Sequence, residues 1–360
     1  MAAICPRLLS SCEALWIGTT RLGSFGSALG LILSRDGGKL TPKQIDATTT
    51  EWTCPYPAWA ARPDGKLCLA TALALADEIS SYGGMACWDD RHRPGITISI
   101  AATLVGHRNL VPEVAPGEEL TFVSRRLKTG RQLGYMELEV WRGSASSASS
   151  ELLAVGRHSK MLSIPGKEWV ETLSHPRLYP IAMPLAVSAL EARHPRIKQW
   201  LRAEPTCRRD LFPTLTVAAA DDTPSTDATA AASVSTPALR LLGGATPSIY
   251  STSLSPTWAN IIGNLHGGAA CILGEQIAAA SYCSTYRVEV APPPSMLHVT
   301  LLSGLVCDGR SAVLEALTSP SAVGVSTGGG SDPLPSAVSS LATLRHATDR
   351  GRAVECAVWW

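Results

Sequence analysis

A repeat constrains this chain more than any other feature of its sequence. Gly65-Lys66-Leu67-Cys68-Leu69-Ala70 leads into an apolar helical run that reaches Asp77, and Gly263-Asn264-Leu265-His266-Gly267-Gly268 leads into another that reaches Glu275. Gly65 and Gly263 are 198 residues apart. At that offset Leu67 meets Leu265, Ala72 meets Ala270, Leu75 meets Leu273, Ile79 meets Ile277, and Asp77 meets Glu275. The flanks agree. A strand-like run precedes each helix (Ile45 to Trp52; Ser248 to Leu254), and a loop and a strand follow it (Ile96 to Ile100; Met296 to Leu302). This is the signature of one fold duplicated in tandem. A chain of 360 residues has room for two such units at roughly 150 residues per domain.

Each unit reads as α+β. After the first helix Met136, Leu138 and Val140 alternate with Glu137, Glu139 and Trp141, the period of a strand with one wet face. Leu120 to Val123 and Leu152 to Leu162 are further strands, and Lys128-Thr129-Gly130-Arg131 supplies a turn. One long buried helix followed by hairpins predicts a sheet wrapped on that helix. The boundaries expected are an N-terminal segment at 1–36, read as a mobile arm, a first unit at 37–163, a connector at 164–237 and a second unit at 238–360. Within the connector, 218–236 alternates Ala, Thr, Ser and Asp without apolar periodicity and reads as a disordered tether. Pro184 to Arg202 reads as a helix of no assigned role, and Ser319 to Pro335 as a long inserted loop.

Composition narrows the partners. Lys+Arg 31 against Asp+Glu 30 leaves a net charge of +1, so no global field draws nucleic acid or an anionic membrane. No stretch reaches the ~18 uninterrupted apolar residues of a spanning helix. The ten cysteines form no CxxC pair, so metal binding is not expected, and they read as free thiols in a reducing compartment. An intracellular, cytoplasmic location is expected. Arg7, Arg21 and Arg35 against Glu13 keep a mitochondrial presequence as the alternative. Gly324-Val325-Ser326-Thr327-Gly328 matches a G-x-S-x-G nucleophile elbow, with Asp332 and His346 following. That elbow must open a helix, which Gly329-Gly330-Ser331-Asp332-Pro333 cannot do, so the match is set aside.

The run from Asn260 to Gly268, with a carboxylate nine residues after His266, resembles hotdog-fold acyl-CoA thioesterases of the phenylacetate-pathway and thioesterase-superfamily-member type. Their signature is Asn, Gly, His-Gly-Gly, then Asp. The first repeat carries the other half of it, Leu75-Ala76-Asp77-Glu78-Ile79-Ser80 and then Pro94-Gly95-Ile96-Thr97. The resemblance covers roughly 37–163 and 238–360. It implies two tandem hotdog domains forming an internal pseudo-dimer, hydrolysis of acyl-CoA to free acid and coenzyme A, no cofactor, and a Ser or Thr at the Thr97 position that helps hold the attacking water. Further homo-oligomerisation is left open.

The chemistry asks for these residue types. Thioester hydrolysis builds negative charge on a carbonyl oxygen, so donors must already point there. A Gly-Gly helix start leaves backbone N–H groups unpaired at the positive end of the dipole. Gly267 is the expected donor, with Asn260 as a second polarising group, His266 shaping the pocket, and Gly263 and Gly268 lining it. Asp77 is the expected base or nucleophile. Lys128 and Arg131 are either a solvated hairpin face or a grip on the coenzyme A phosphates.

Spacing decides how the halves combine. His266 and Glu275 are nine residues apart, roughly 13 Å along a helix, so one helix cannot bring both to one carbonyl. A site must join the helix start of one repeat to the carboxylate of the other. Repeat one lacks the glycines, with Cys68, Leu69 and Ala70 there and Arg62 where Asn260 aligns, but keeps Asp77 and Thr97. Repeat two keeps Asn260 and His266-Gly267-Gly268, but has Glu275 for Asp and Leu297 or His298 at the Thr97 position. One complete site is expected, facing a vestigial one at Cys68 and Glu275. A non-catalytic double hotdog that binds acyl-CoA, or serves as a scaffold, is the alternative.

Overall fold

The structure is a computed structural model that describes residues 4–9, 13, 16, 25–31, 33–34, 38–60, 62, 64–106, 111–145, 147, 149–163, 248–260, 262–320, 338–346 and 351–360. The expected tether at 218–236, the helix at 184–202 and most of the loop at 319–335 lie outside the described residues.

Two helices organise the chain. In α1, Leu69–Ser80, all twelve residues are buried, Asp77 and Glu78 included. A run apolar on every side is stable only when surrounded, and α1 is wrapped by sheet and helix throughout. The chain then widens into a π-helical turn, Ser81–Met85, before a last helical turn at Ala86–Trp88. In repeat two the corresponding helix is α2, Gly267–Tyr286, capped at its start by His266 and ended by Arg287 in the left-handed conformation. The helices pack side by side.

Around them runs one antiparallel sheet. Repeat one supplies β1 (Thr41–Ile45), β2 (Thr49–Pro55), β3 (Ile96–Leu104), β4 (Glu119–Thr129), β5 (Leu133–Arg142) and β6 (Glu151–Met161). Repeat two supplies β7 (Ser248–Ser253), β8 (Met296–Leu301), β9 (Ser311–Pro320), β10 (Val338–His346) and β11 (Val354–Trp359). The strand order is β1-β2-β4-β5-β6-β3-β8-β11-β10-β9-β7. Read outward from the centre, β3-β6-β5-β4-β2 in one half matches β8-β11-β10-β9-β7 in the other, so both repeats have the same connectivity. Each is a helix wrapped by an antiparallel sheet, and the fold is a tandem double hotdog. Ala101 pairs with His298 where β3 meets β8, fusing the two sheets into one. Strand β1 is an addition to the edge of repeat one, joined to β2 by a turn in which Asp46 Oδ1 accepts the Thr48 and Thr49 N–H groups at 2.8 Å each.

Two expectations change. The segment before residue 37 does not behave as a free arm where it is described: Trp16, Phe25, Leu29, Leu31 and Leu33 are buried in the core, and Ile4 bridges Ile45. These apolar side chains cover surface that α1 and the edge of the sheet would otherwise expose. The cysteines also differ. Cys5, Cys54, Cys68, Cys271, Cys283, Cys307 and Cys356 are free, but Cys87 is disulfide-bonded. A disulfide depends on Cα atoms coming within about 7 Å, which sequence spacing does not reveal.

The pairing of β6 with β3 inside repeat one relies on a small residue. Gly156 in β6 faces β3, and a Cβ built on it collides with the Ala101 carbonyl oxygen and the Ala102 side chain. Gly156→Ala should therefore destabilise the fold by about 1–3 kcal/mol through overpacking. Chemical denaturation should show a lower midpoint at unchanged slope, and an unchanged midpoint would contradict this register.

Candidate active site

Asp77 sits at the middle of α1 with no exposed surface, ringed by polar groups from three other elements. Its Oδ1 is crowded. Thr97 Oγ1, on β3, donates to it at 2.8 Å, His158 Nε2 lies at 3.1 Å and Lys160 Nζ at 3.5 Å, both from β6, and Ser81 Oγ is 3.4 Å away. Its Oδ2 is bare: buried, with no hydrogen-bond partner among the described residues. That oxygen faces the start of α2, and a Cβ added to Gly267 would come within 2.6 Å of it and 2.8 Å of the Thr97 Cβ. The absent side chain at Gly267 is what admits the carboxylate of the other repeat.

The start of α2 is built by its cap. His266 Nδ1 accepts the Gly268 N–H at 3.1 Å and lies 3.2 Å from Asp77 Oδ2. Its other nitrogen, Nε2, lies 3.2 Å from Glu78 Oε1. The Phe25 ring stacks on the imidazole at 5.0 Å between centroids. Gly267 N–H has no partner among the described residues and is the open donor at the positive end of the helix.

Electrostatics keep Asp77 charged. Burial pushes its carboxyl up, but His266, Lys160 and His158 override that and hold it well below the usual carboxylate range. Burial pushes neighbouring Glu78 up, and burial followed by Lys160 lowers His158. Burial also lowers Lys160, with Asp77 and Glu78 pulling it back. Lys160 Nζ reaches Thr97 Oγ1 at 3.2 Å as well as Ser81 Oγ and Asp77 Oδ1. Three donors of an ammonium thus meet three acceptors.

Asn260 joins the same place. Its Oδ1 accepts the N–H groups of Ile262 and Asn264 at 3.0 and 3.2 Å, which holds its loop. Asn260, His266, Gly267, Thr97 and Lys160 line one cavity of about 20 Å3, room for a single water.

The remaining expected residues take other roles. Gly268 abuts Ala74 and Phe25, with a built Cβ 2.9 Å from the Ala74 Cα, and its N–H is spent on His266, so it serves helix packing. Gly263, at φ +84°, makes the turn of the Asn260 loop and exchanges backbone bonds with Asn260 and Cys307. Lys128 and Arg131 are exposed at the β4–β5 hairpin. The rungs Thr97–Lys160–Gly134–Thr129 put that hairpin end three strand spacings, roughly 14 Å, from Thr97.

The opposite site is filled. Glu275 Oε2 accepts the Ala70 N–H at 3.2 Å and lies 3.3 Å from Cys68 Sγ, while Arg62 Nη1 stands 3.6 Å from Oε1. Glu275 therefore has both oxygens engaged, where Asp77 has one free. Leu297 is buried and His298 contacts Ser99, so no hydroxyl faces Glu275 in the way that Thr97 faces Asp77. Among the described residues no group of three or more His, Cys, Asp or Glu side chains is placed to hold a metal, and no helix is long and apolar enough to cross a membrane.

Sequence reasoning singled out neither Lys160 nor His158. Both lie on the period-two face of β6 with Ala154 and Gly156 and turn toward α1, and the alternation groups them without saying which face is inward. The tightness at Gly267 yields a direct expectation. Gly267→Ala should leave a folded protein with any activity lowered about 10²-fold or more, since the methyl displaces Asp77 or Thr97 by about an ångström. Wild-type turnover in this variant would remove Gly267 and Asp77 from one site.

No protein-family model and no curated protein matches the chain. Solved structures similar to it include the 12:0-ACP thioesterase from Umbellularia californica, with TM-score 0.42 and 10% identity over 87% of this chain and 97% of that one. The TesB protein of Mycobacterium avium subspecies paratuberculosis has TM-score 0.45 and 8% identity, over 88% and 94% of the two chains. Zebrafish thioesterase superfamily member 2 has TM-score 0.29 and 21% identity, over 35% of this chain and 82% of that one. The chain is thus a double hotdog, by its own strand order, with thioesterases among the structures it resembles.

Proposed function

We propose that the protein hydrolyses acyl-CoA thioesters to free acid and coenzyme A at one composite site between its repeats. The observation that carries this reading is the pairing of a bare, buried carboxylate oxygen from repeat one with an unpaired helix-start N–H from repeat two. The thioester carbonyl oxygen rests on Gly267 N–H, with the Asn260 amide as second donor. A water oriented by Thr97 gives a proton to Asp77 Oδ2 as its oxygen attacks the carbonyl carbon. The tetrahedral oxyanion collapses, the C–S bond breaks, and the proton passes from Asp77 to the departing thiolate. Lys128 and Arg131 grip the coenzyme A phosphates at the hairpin end of the sheet. Every step uses only side chains of this chain, backbone N–H and water.

Thiol release from a panel of acyl-CoAs, read with DTNB, tests the proposal. At least one member should be cleaved well above the buffer rate. Because Asp77 is held ionised below the usual carboxylate range, kcat/KM should be level from about pH 5 to pH 8 and fall only as pH drops through that lowered value. An acid limb at or above the ordinary aspartate value, about 3.9, would assign the base elsewhere. Saturable acyl-CoA binding without thiol release would support the non-catalytic reading instead.

A further inference from the structure

The polar cradle behind Asp77 has no counterpart behind Glu275. In β6 the inward residues beside Asp77 are His158 and Lys160, both buried. In β11 the rungs Val299–Cys356 and Leu297–Val358 mirror Ile100–His158 and Thr97–Lys160, so Cys356 and Val358 stand at the matching positions, also buried. Glu275 is served from another direction, by Arg62 and the Ala70 N–H. A buried lysine and histidine on only one of two like strands, and on the side with the open helix start, are not requirements of the fold. The second repeat makes the same fold without them.

We propose that Lys160 is a positioning residue of the composite site, which with Thr97 and His158 saturates Asp77 Oδ1 so that Oδ2 alone is left as the reacting oxygen. This rests on the reading of Asp77 as the base. The three donors converge on one oxygen from β3 and β6, at 2.8, 3.1 and 3.5 Å. Lys160 also donates to Thr97 Oγ1, which directs the threonine hydroxyl proton toward Asp77, and to Ser81 Oγ, which itself donates to the Asp77 backbone carbonyl. A carboxylate pinned through one oxygen cannot rotate, and its second oxygen stays over Gly267. The titratable groups facing Asp77 are Lys160 and His158 from β6, His266 and the Cys271 thiol from α2, and Glu78 from its own helix. Of these, Lys160 is the cation that touches the non-reacting oxygen without touching the reacting one.

The test follows the Asp77 carboxyl itself. In the full-length protein with 13C-labelled aspartate, the Asp77 carboxyl resonance, assigned by its loss in Asp77→Asn, is titrated in wild type and in Lys160→Met. Loss of a cation within ~4–6 Å should raise the Asp77 titration by about 1–3 pH units. The acid limb of kcat/KM should move up with it, with kcat falling and KM for acyl-CoA unchanged. Lys160→Gln, which keeps a donor but no charge, should show the same upward titration and recover part of kcat, and it serves if Lys160→Met does not fold. An unmoved Asp77 resonance in either folded variant overturns the proposal, as does an equal loss of rate at every pH. A wild-type protein that cleaves no thioester would end the hydrolase reading, and the resonance would still decide what Lys160 does to Asp77.

Discussion

The structure depends on one close approach. The first turn of α2 crosses the middle of α1 with no side chain between them, Gly268 against Ala74 and Gly267 against Asp77. A Cβ at Gly268 would press on the Ala74 backbone and hold the helices apart, and one at Gly267 would displace the Asp77 and Thr97 side chains. With the crossing in place, the repeats share one core, β3 can zip to β8, and a carboxylate from one half meets the helix start of the other. Fold and candidate site therefore rest on the same contact.

The cost of that contact is a buried charge, and the two repeats meet it in different ways. An ion removed from water loses several kcal/mol of solvation unless neighbours replace it. Around Asp77 the replacement is one-sided, so that one oxygen is held and the other is free. Around Glu275 it is complete: Arg62 and the Ala70 N–H engage both oxygens, and Cys68 fills the space beside them. Both carboxylates have charged or polar neighbours, but Asp77 keeps a buried oxygen with no hydrogen-bond partner among the described residues. The duplication has kept the architecture twice and the open carboxylate once.

The sequence carried the duplication and the two buried helices, because those depend on periodicity, and the 1.5 Å rise of a helix set the expectation of a site shared between halves. It did not carry β1, whose partner is set by a turn at Asp46. Nor did it carry the burial of Phe25 against His266, a contact between segments some 240 residues apart. Lys160 was hidden for a different reason. Lysine is almost always at the surface, so a lysine in a strand reads as its wet face until pairing shows which face turns inward. Gly263 and Gly268 read as pocket residues because a glycine-rich helix start serves anion binding and close packing alike, and only the neighbours Ala74 and Phe25 tell the two apart.

The claim that one site is live and the other is filled is tested most directly by two carboxamide variants measured side by side on one acyl-CoA. Asp77→Asn should lower kcat by about 10²–10⁴-fold in a folded protein, the loss expected of a missing general base. Glu275→Gln should leave kcat within a few-fold of wild type. A dead Glu275→Gln beside an active Asp77→Asn, or equal partial losses in both, would contradict the account.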